Sequence, residues 1–197
     1  MSGQTDWQWK LREAVETIKA RYDQIGRKTG APFLAIVYPP EAEAAVLKEW
    51  HVLASTLHPE FDVRTVNVLD TTTAAVDELG CQNVVDAMGN PMPGSNPETD
   101  LAILWINAVA ARVRELAAQP PKDRPVVVLE TLAALYPVAG PRDVMQQLWD
   151  SGHGVVSAPV VVLIPGTLVE RKVYSFLNCR DELMYRGDIL QPIVFLC

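Results

Sequence analysis

Two apolar runs end in groups able to do chemistry. "PVVVLE" at 125–130 ends in Glu130 and is followed by Thr131, while "PVVVLI" at 159–164 runs into Pro165, Gly166 and Thr167. In open α/β sheets ligands bind beyond the carboxyl ends of the strands. Glu130, Thr131 and Thr167 are therefore the candidate residues for a nucleotide- or metal-dependent enzyme. An apolar strand closed by a carboxylate has the outline of the strand that positions magnesium in phosphate-loop enzymes. Such a site also needs a glycine-rich loop whose amides cradle phosphate, placed after the first strand. Here the first strand is followed by "YPPEAEAA", in which prolines lack amide donors and glutamates repel phosphate. "GRKTG" at 26–30 holds a Lys-Thr pair but precedes that strand, so it reads as a polar turn.

Other constellations are incomplete. His51 and His58 stand seven apart, whereas paired zinc ligands on a helix stand four apart. His153 lies in "SGHGVV" with no GxSxG elbow to supply a nucleophile. Cys81, Cys179 and Cys197 form no CxxC pair and read as reduced thiols. No metal, cofactor or complete catalytic set is expected. The net charge of −7 opposes broad nucleic-acid binding, which needs clustered cations to displace counterions. No run approaches the roughly 20 apolar residues of a membrane helix, and "MSGQTDWQWK" lacks a signal-peptide core. A cytoplasmic protein without a membrane partner is expected.

The elements that must carry these residues alternate. Leu11, Val15, Ile18, Tyr22 and Ile25 recur every three or four positions, which predicts an N-terminal helix within 1–26. "PFLAIVY" is apolar on both faces and predicts a buried parallel strand. A crossover helix through Val46, Trp50 and Leu53 follows, then a strand in "FDVRTVNVL". "TTTAAVDELGCQNVVDAM" reads as one helix or as two divided at Gly80, and Asn96-Pro97 starts a long helix. After the runs at 125–130 and 159–164, with a short helix from Arg142 to Trp149 between them, "PIVFL" at 192–196 is the expected fifth strand. The pattern predicts one α/β domain over 1–197, three layers deep, with a mainly parallel sheet of about five strands. It resembles a phosphate-loop ATPase core without its phosphate loop.

Pro165-Gly166 predicts a turn. The segment beyond it, "VERKVYSFLNCRDELMYRG", combines arginines with aromatic residues, the composition of a protein-binding patch; a helix packing its aromatic face on the sheet is the alternative. An apolar strand ending in Pro-Gly, a Phe-Leu about ten residues later and then Tyr-Arg together resemble the C-terminal signature of the BrxB family of bacteriophage-exclusion (BREX) defence systems. "ALYPVAGPRDVMQQLWD" is similar to that family's segment after its third strand. The matching positions are Tyr136, Pro137, Arg142, Leu148, Pro165, Gly166, Phe176, Tyr185 and Arg186, so the resemblance covers about the last third of the chain.

The resemblance implies a small non-enzymatic component working beside a phosphatase-like PglZ protein, a BrxC ATPase and a PglX DNA methyltransferase, in support of host DNA methylation and phage restriction. The expected function is an adaptor that docks on a larger protein, by resemblance PglZ. Its partner-binding candidates are Tyr136, Arg142, Arg171, Tyr174, Phe176, Arg180, Tyr185 and Arg186, with Pro137, Pro165 and Gly166 as family-motif turn residues and 165–197 as a docking segment with the last strand. The alternatives are the enzyme at Glu130, Thr131 and Thr167, and a DNA-contacting subunit.

Overall fold

The computed structural model describes residues 6–26, 30–118, 124–150, 156 and 158–191. The expected strand at 192–196 and His153 lie outside them. Among the described residues a seven-stranded sheet, two strands more than expected, has five parallel strands in the order β2-β3-β4-β1-β7: β1 is Phe33–Tyr38, β2 Phe61–Asn67, β3 Arg124–Glu130, β4 Val160–Glu170 and β7 Gly187–Ile189. The three central strands owe their place to composition. Every residue of β1 is buried, as are Val126–Glu130 of β3 and Val160–Gly166 of β4, which suits strands covered by helices on both faces. The edge strand β2 carries Asp62, Arg64 and Thr65, polar positions that discourage pairing with another chain.

Helices cover both faces, as the sequence predicts for a three-layer α/β domain. On one face α1 (Asp6–Arg21) and α2 (Glu43–Ser55) bury Leu11, Ile18, Val46 and Trp50 against Leu34, Ile36, Val128 and Leu163. On the other, α5 (Pro97–Ala118) and α6 (Pro141–Asp150) bury Val109, Val113, Met145 and Leu148 against Val127, Leu129, Val162 and Ile164. Alternate residues of each strand serve opposite faces, so one strand stitches both cores together. The segment after β2 resolves into two helices, α3 (Val68–Leu79) and α4 (Cys81–Gly89), divided at Gly80 with φ +86°. Asn67 caps α3 by accepting from the Asp70 amide at 3.2 Å, and Asn96 caps α5 by accepting from the Thr99 amide at 3.3 Å.

The C-terminal third departs from expectation. Pro165 and Gly166 do not form a turn; β4 continues through them to Glu170 and pairs with β5 (Val173–Phe176), which pairs in turn with β6 (Arg180–Leu183). Pro165 stands opposite Tyr38 on the last rung of the β1 pairing, and from Gly166 the strand takes β5 as its antiparallel neighbour. The missing amide of proline thus falls where one ladder gives way to another. Gly166 is required because a Cβ there would overlap the carbonyl oxygen of Ser175. Neither a docking helix nor a loose segment follows: the meander returns to the sheet as β7 beside β1.

Candidate functional site

Outgoing connections identify the place in an α/β sheet where a ligand would bind. From β1 the chain leaves into α2 on one face, and from the adjacent β4 it leaves into the meander, whose Tyr174 and Phe176 join the core of the other face. Neighbouring strands with connections to opposite faces open a crevice at their carboxyl ends. Here the residues at the two strand ends, Tyr38 and Pro165, are both buried. Tyr38, 1% exposed, ends β1 and donates from its hydroxyl to Glu43 Oε1 at 3.2 Å. Burial, followed by the Glu43 charge, pushes the Tyr38 hydroxyl well above the ordinary tyrosine range, so it stays a neutral donor. The loop beyond is Pro39 and a single 3₁₀ turn, Pro40–Ala42, with Glu41 in it. Buried Lys10 of α1 donates to the Val37 carbonyl at 3.1 Å and pairs with Asp6.

The strand-end carboxylate is also occupied. Glu130 is buried, and its Oε2 lies 2.9 Å from Nε2 of His51, a half-exposed residue on α2. Glu43 and His51 therefore pin α2 to the ends of β1 and β3 respectively. Beside them Thr131 adopts the left-handed conformation (φ +59°, ψ +36°), an outlier for a β-branched residue. Its hydroxyl accepts from the Leu69 amide at 3.1 Å and has two acceptors within reach, Asn67 Oδ1 at 2.7 Å and the Glu130 carbonyl at 2.6 Å. These contacts hold the strained residue in place. Thr167 does not join the group: it sits on the far half of β4 and donates to Asn178 Oδ1 at 2.7 Å. The expected trio thus reduces to Glu130 and Thr131. His51, Asn67 and Tyr38 are the partners sequence reasoning missed, since His51 and Glu130 stand 79 residues apart.

The partner-binding candidates divide in two. Tyr174 and Phe176 are fully buried, a correction to their expected role as contact residues, because alternation along β5 turns both into the core. Tyr174 donates to Glu182 Oε2 at 2.7 Å, and the Arg142 amide at the start of α6 donates to the same oxygen at 3.0 Å. Glu182 thus serves a helix N-terminus, where negative charge is favoured. Arg180 is likewise committed internally, with Nη2 3.0 Å from Asp143 Oδ2 and Nε 3.1 Å from Glu182 Oε1. Burial raises the Glu182 carboxyl above its ordinary 4.5, outweighing the Tyr174, Arg142 and Arg180 contacts that lower it.

The others reach solvent. Arg142, Arg171 and Arg186 are exposed, as is Tyr136, whose peptide bond to Pro137 is cis. Arg186 (φ +48°) lies over the rings of Trp149 at 5.4 Å and Tyr185 at 5.8 Å. The Tyr185 hydroxyl donates to Asp150 Oδ1 at 2.7 Å, a bond that raises its ionisation above the ordinary range. An exposed arginine is thereby held over aromatic faces at the junction of α6 and the meander. No group of three or more metal-ligating side chains occurs among the described residues, and no helix among them is long and apolar enough to cross a membrane.

Compared with known proteins, the chain matches no protein-family model, no curated protein and no solved structure.

Proposed function

We propose that this protein is a non-catalytic adaptor that uses an α/β core as a rigid platform for binding a larger protein. The observation that carries the reading is the carboxyl ends of β1 and β4: Tyr38 and Pro165 are buried there, Pro39 and Pro40 follow β1 without amide donors, and Glu43 stands bonded to Tyr38 where a phosphate loop would present amides. The docking surface in this reading is the part of the partner-binding candidates that reaches solvent, led by Arg186, Tyr185 and Arg142, with Arg171 and Tyr136. Arg186 can pair two hydrogen bonds with a partner carboxylate while its plane rests on Trp149. On the resemblance of the C-terminal third to BrxB proteins, the partner is PglZ, with BrxC or PglX as the other candidates, and the role is support of host DNA methylation and phage restriction.

Co-expression of the full chain with each of these proteins, followed by co-purification, tests the proposal. A stable complex with one of them, weakened tenfold or more by Arg186→Glu, is the expected result. Absence of any complex would remove the BREX assignment. A second reading is favoured by the buried Glu130 paired with His51 beside strained Thr131, since backbone strain gathers at functional sites. Calorimetric titration with ATP and magnesium separates the two: micromolar binding that disappears in Glu130→Gln would replace the adaptor with a nucleotide-dependent enzyme.

A further inference from the structure

Among the α-helices of the described residues α4 is unusual, because none of its nine residues is buried. It lies at the surface against α3 and α5, and between it and the start of α5 runs a cleft of about 430 Å³. The cleft is apolar, lined by Leu79, Val84, Met88, Met92, Leu101 and Leu104. Three of these are large side chains left in solvent, with Leu79 53%, Met88 40% and Met92 76% exposed. Methionines are unbranched and polarizable and repack around varied apolar partners. An apolar groove between helices, of this character, suits the apolar face of an amphipathic helix.

Charge decides what kind of helix. Between Arg64 and Arg112 the chain has no Lys, Arg or His, yet it carries Asp70, Asp77, Glu78, Asp86, Glu98 and Asp100. All but one of the seven excess negative charges of the chain therefore lie in the stretch that forms α3, α4 and the start of α5. Asp100 lines the cleft itself. Among the described residues the hydrogen bonds of Asp70, Asp86 and Asp100 run within this stretch: the Asp70 amide donates to Asn67 Oδ1, Gln82 donates to the Asp86 carboxylate, and the Asp100 amide donates to the Asn96 carbonyl. No cation of the stretch is there to neutralise them. Such a field attracts a cationic ligand and repels both an anionic lipid surface and the like-charged stretch of a second copy.

We propose that the cleft between α4 and α5 is a docking groove for a basic amphipathic helix of another protein. The helix inserts its apolar face between Met88, Met92 and Leu104, and its Lys or Arg residues face the acidic rim. This surface is separate in sequence from the Arg186 patch and stands whether or not the adaptor reading holds.

The probe is a synthetic 18-residue peptide of Leu and Lys at helical spacing, titrated into the full-length protein by calorimetry, with a scrambled peptide of the same composition as control. One-to-one binding in the micromolar range is expected, at least tenfold tighter than the scrambled control and weakened as salt is raised. The variant Met88→Glu/Met92→Glu separates groove insertion from simple charge attraction, because it adds negative charge while spoiling the apolar lining at exposed positions. A tenfold or greater loss of affinity in that variant, with unchanged circular dichroism, supports the groove. Equal or tighter binding in it overturns the proposal, as does equal affinity for the scrambled peptide. Concentration-dependent dimerisation abolished by the same double substitution would instead identify a second copy as the occupant, and binding to neutral phosphatidylcholine vesicles lost in that variant would identify a membrane; either result overturns it.

Discussion

Glu182 is a carboxylate whose burial outweighs its partners. It receives hydrogen bonds from Tyr174 and the Arg142 amide and has Arg180 beside it, yet its carboxyl titrates above the ordinary 4.5. The linkage has a definite sign. A group with a raised folded-state value contributes stability that is fully present below its unfolded value and is lost as pH rises through the folded one. Above pH 4.5 the folded chain therefore holds a proton that the unfolded chain releases, and stability from this group declines as that proton leaves. The variant Glu182→Gln cannot ionise, so its urea midpoint should change less between pH 4.5 and neutrality than that of the parent. Identical pH profiles for the two proteins would show that Glu182 does not titrate in this way. Glu130 and Thr131 were legible as strand-end residues because the run "VVVLET" carries its own boundary. His51 was not, because only the crossover geometry of α2 brings it to Glu130.

At the scale of elements, the long strand β4 does the work assigned to two separate segments. Its first half is the centre of the parallel sheet, and its second half founds the antiparallel meander. The variant Gly166→Ala tests this arrangement, since a Cβ would meet the Ser175 carbonyl on the neighbouring strand rather than a movable side chain. A loss of about 2 kcal/mol is expected from overpacking of this kind, read from urea unfolding; a loss below about 0.5 kcal/mol would show that the β4 and β5 pairing yields freely. Strands β1, β3 and the first half of β4 were legible because short, fully apolar runs bounded by Pro or charged residues fit buried strands. The meander was hidden by its arginines, its acidic residues and the Pro-Gly step, all of which favour a turn or surface when only local preference is weighed.

For the whole molecule, charge is divided unevenly. The stretch from 65 to 111 is wholly anionic in its charged residues, and the rest of the chain nearly balances. The chain should therefore bind duplex DNA only feebly at about 0.15 M salt, because it cannot release many counterions. Fluorescence anisotropy with a labelled duplex checks this, and a tight affinity that falls steeply with salt would favour the DNA-contacting alternative. Under the two proposals made above, binding is instead expected through the Arg186 patch at the end of α6 and the apolar, acid-rimmed cleft beside α4.

The sequence by itself determined the class of the fold, the helix start at Asn96 and the lack of a phosphate loop after β1, because each follows from contacts or preferences a few residues long; the cap at Asn67 and the division of the next segment into two helices at Gly80 came from the structure. Only the tertiary structure decided that Tyr174 and Phe176 are core, that Glu130 belongs to His51, that Thr167 is remote from Thr131's hydrogen-bonded group, and that Pro165-Gly166 lies within a strand. Those outcomes depend on which distant strand or helix supplies the opposite partner. A pairing register and a crossover path are set by the burial of the whole sheet, which no local run of residues contains.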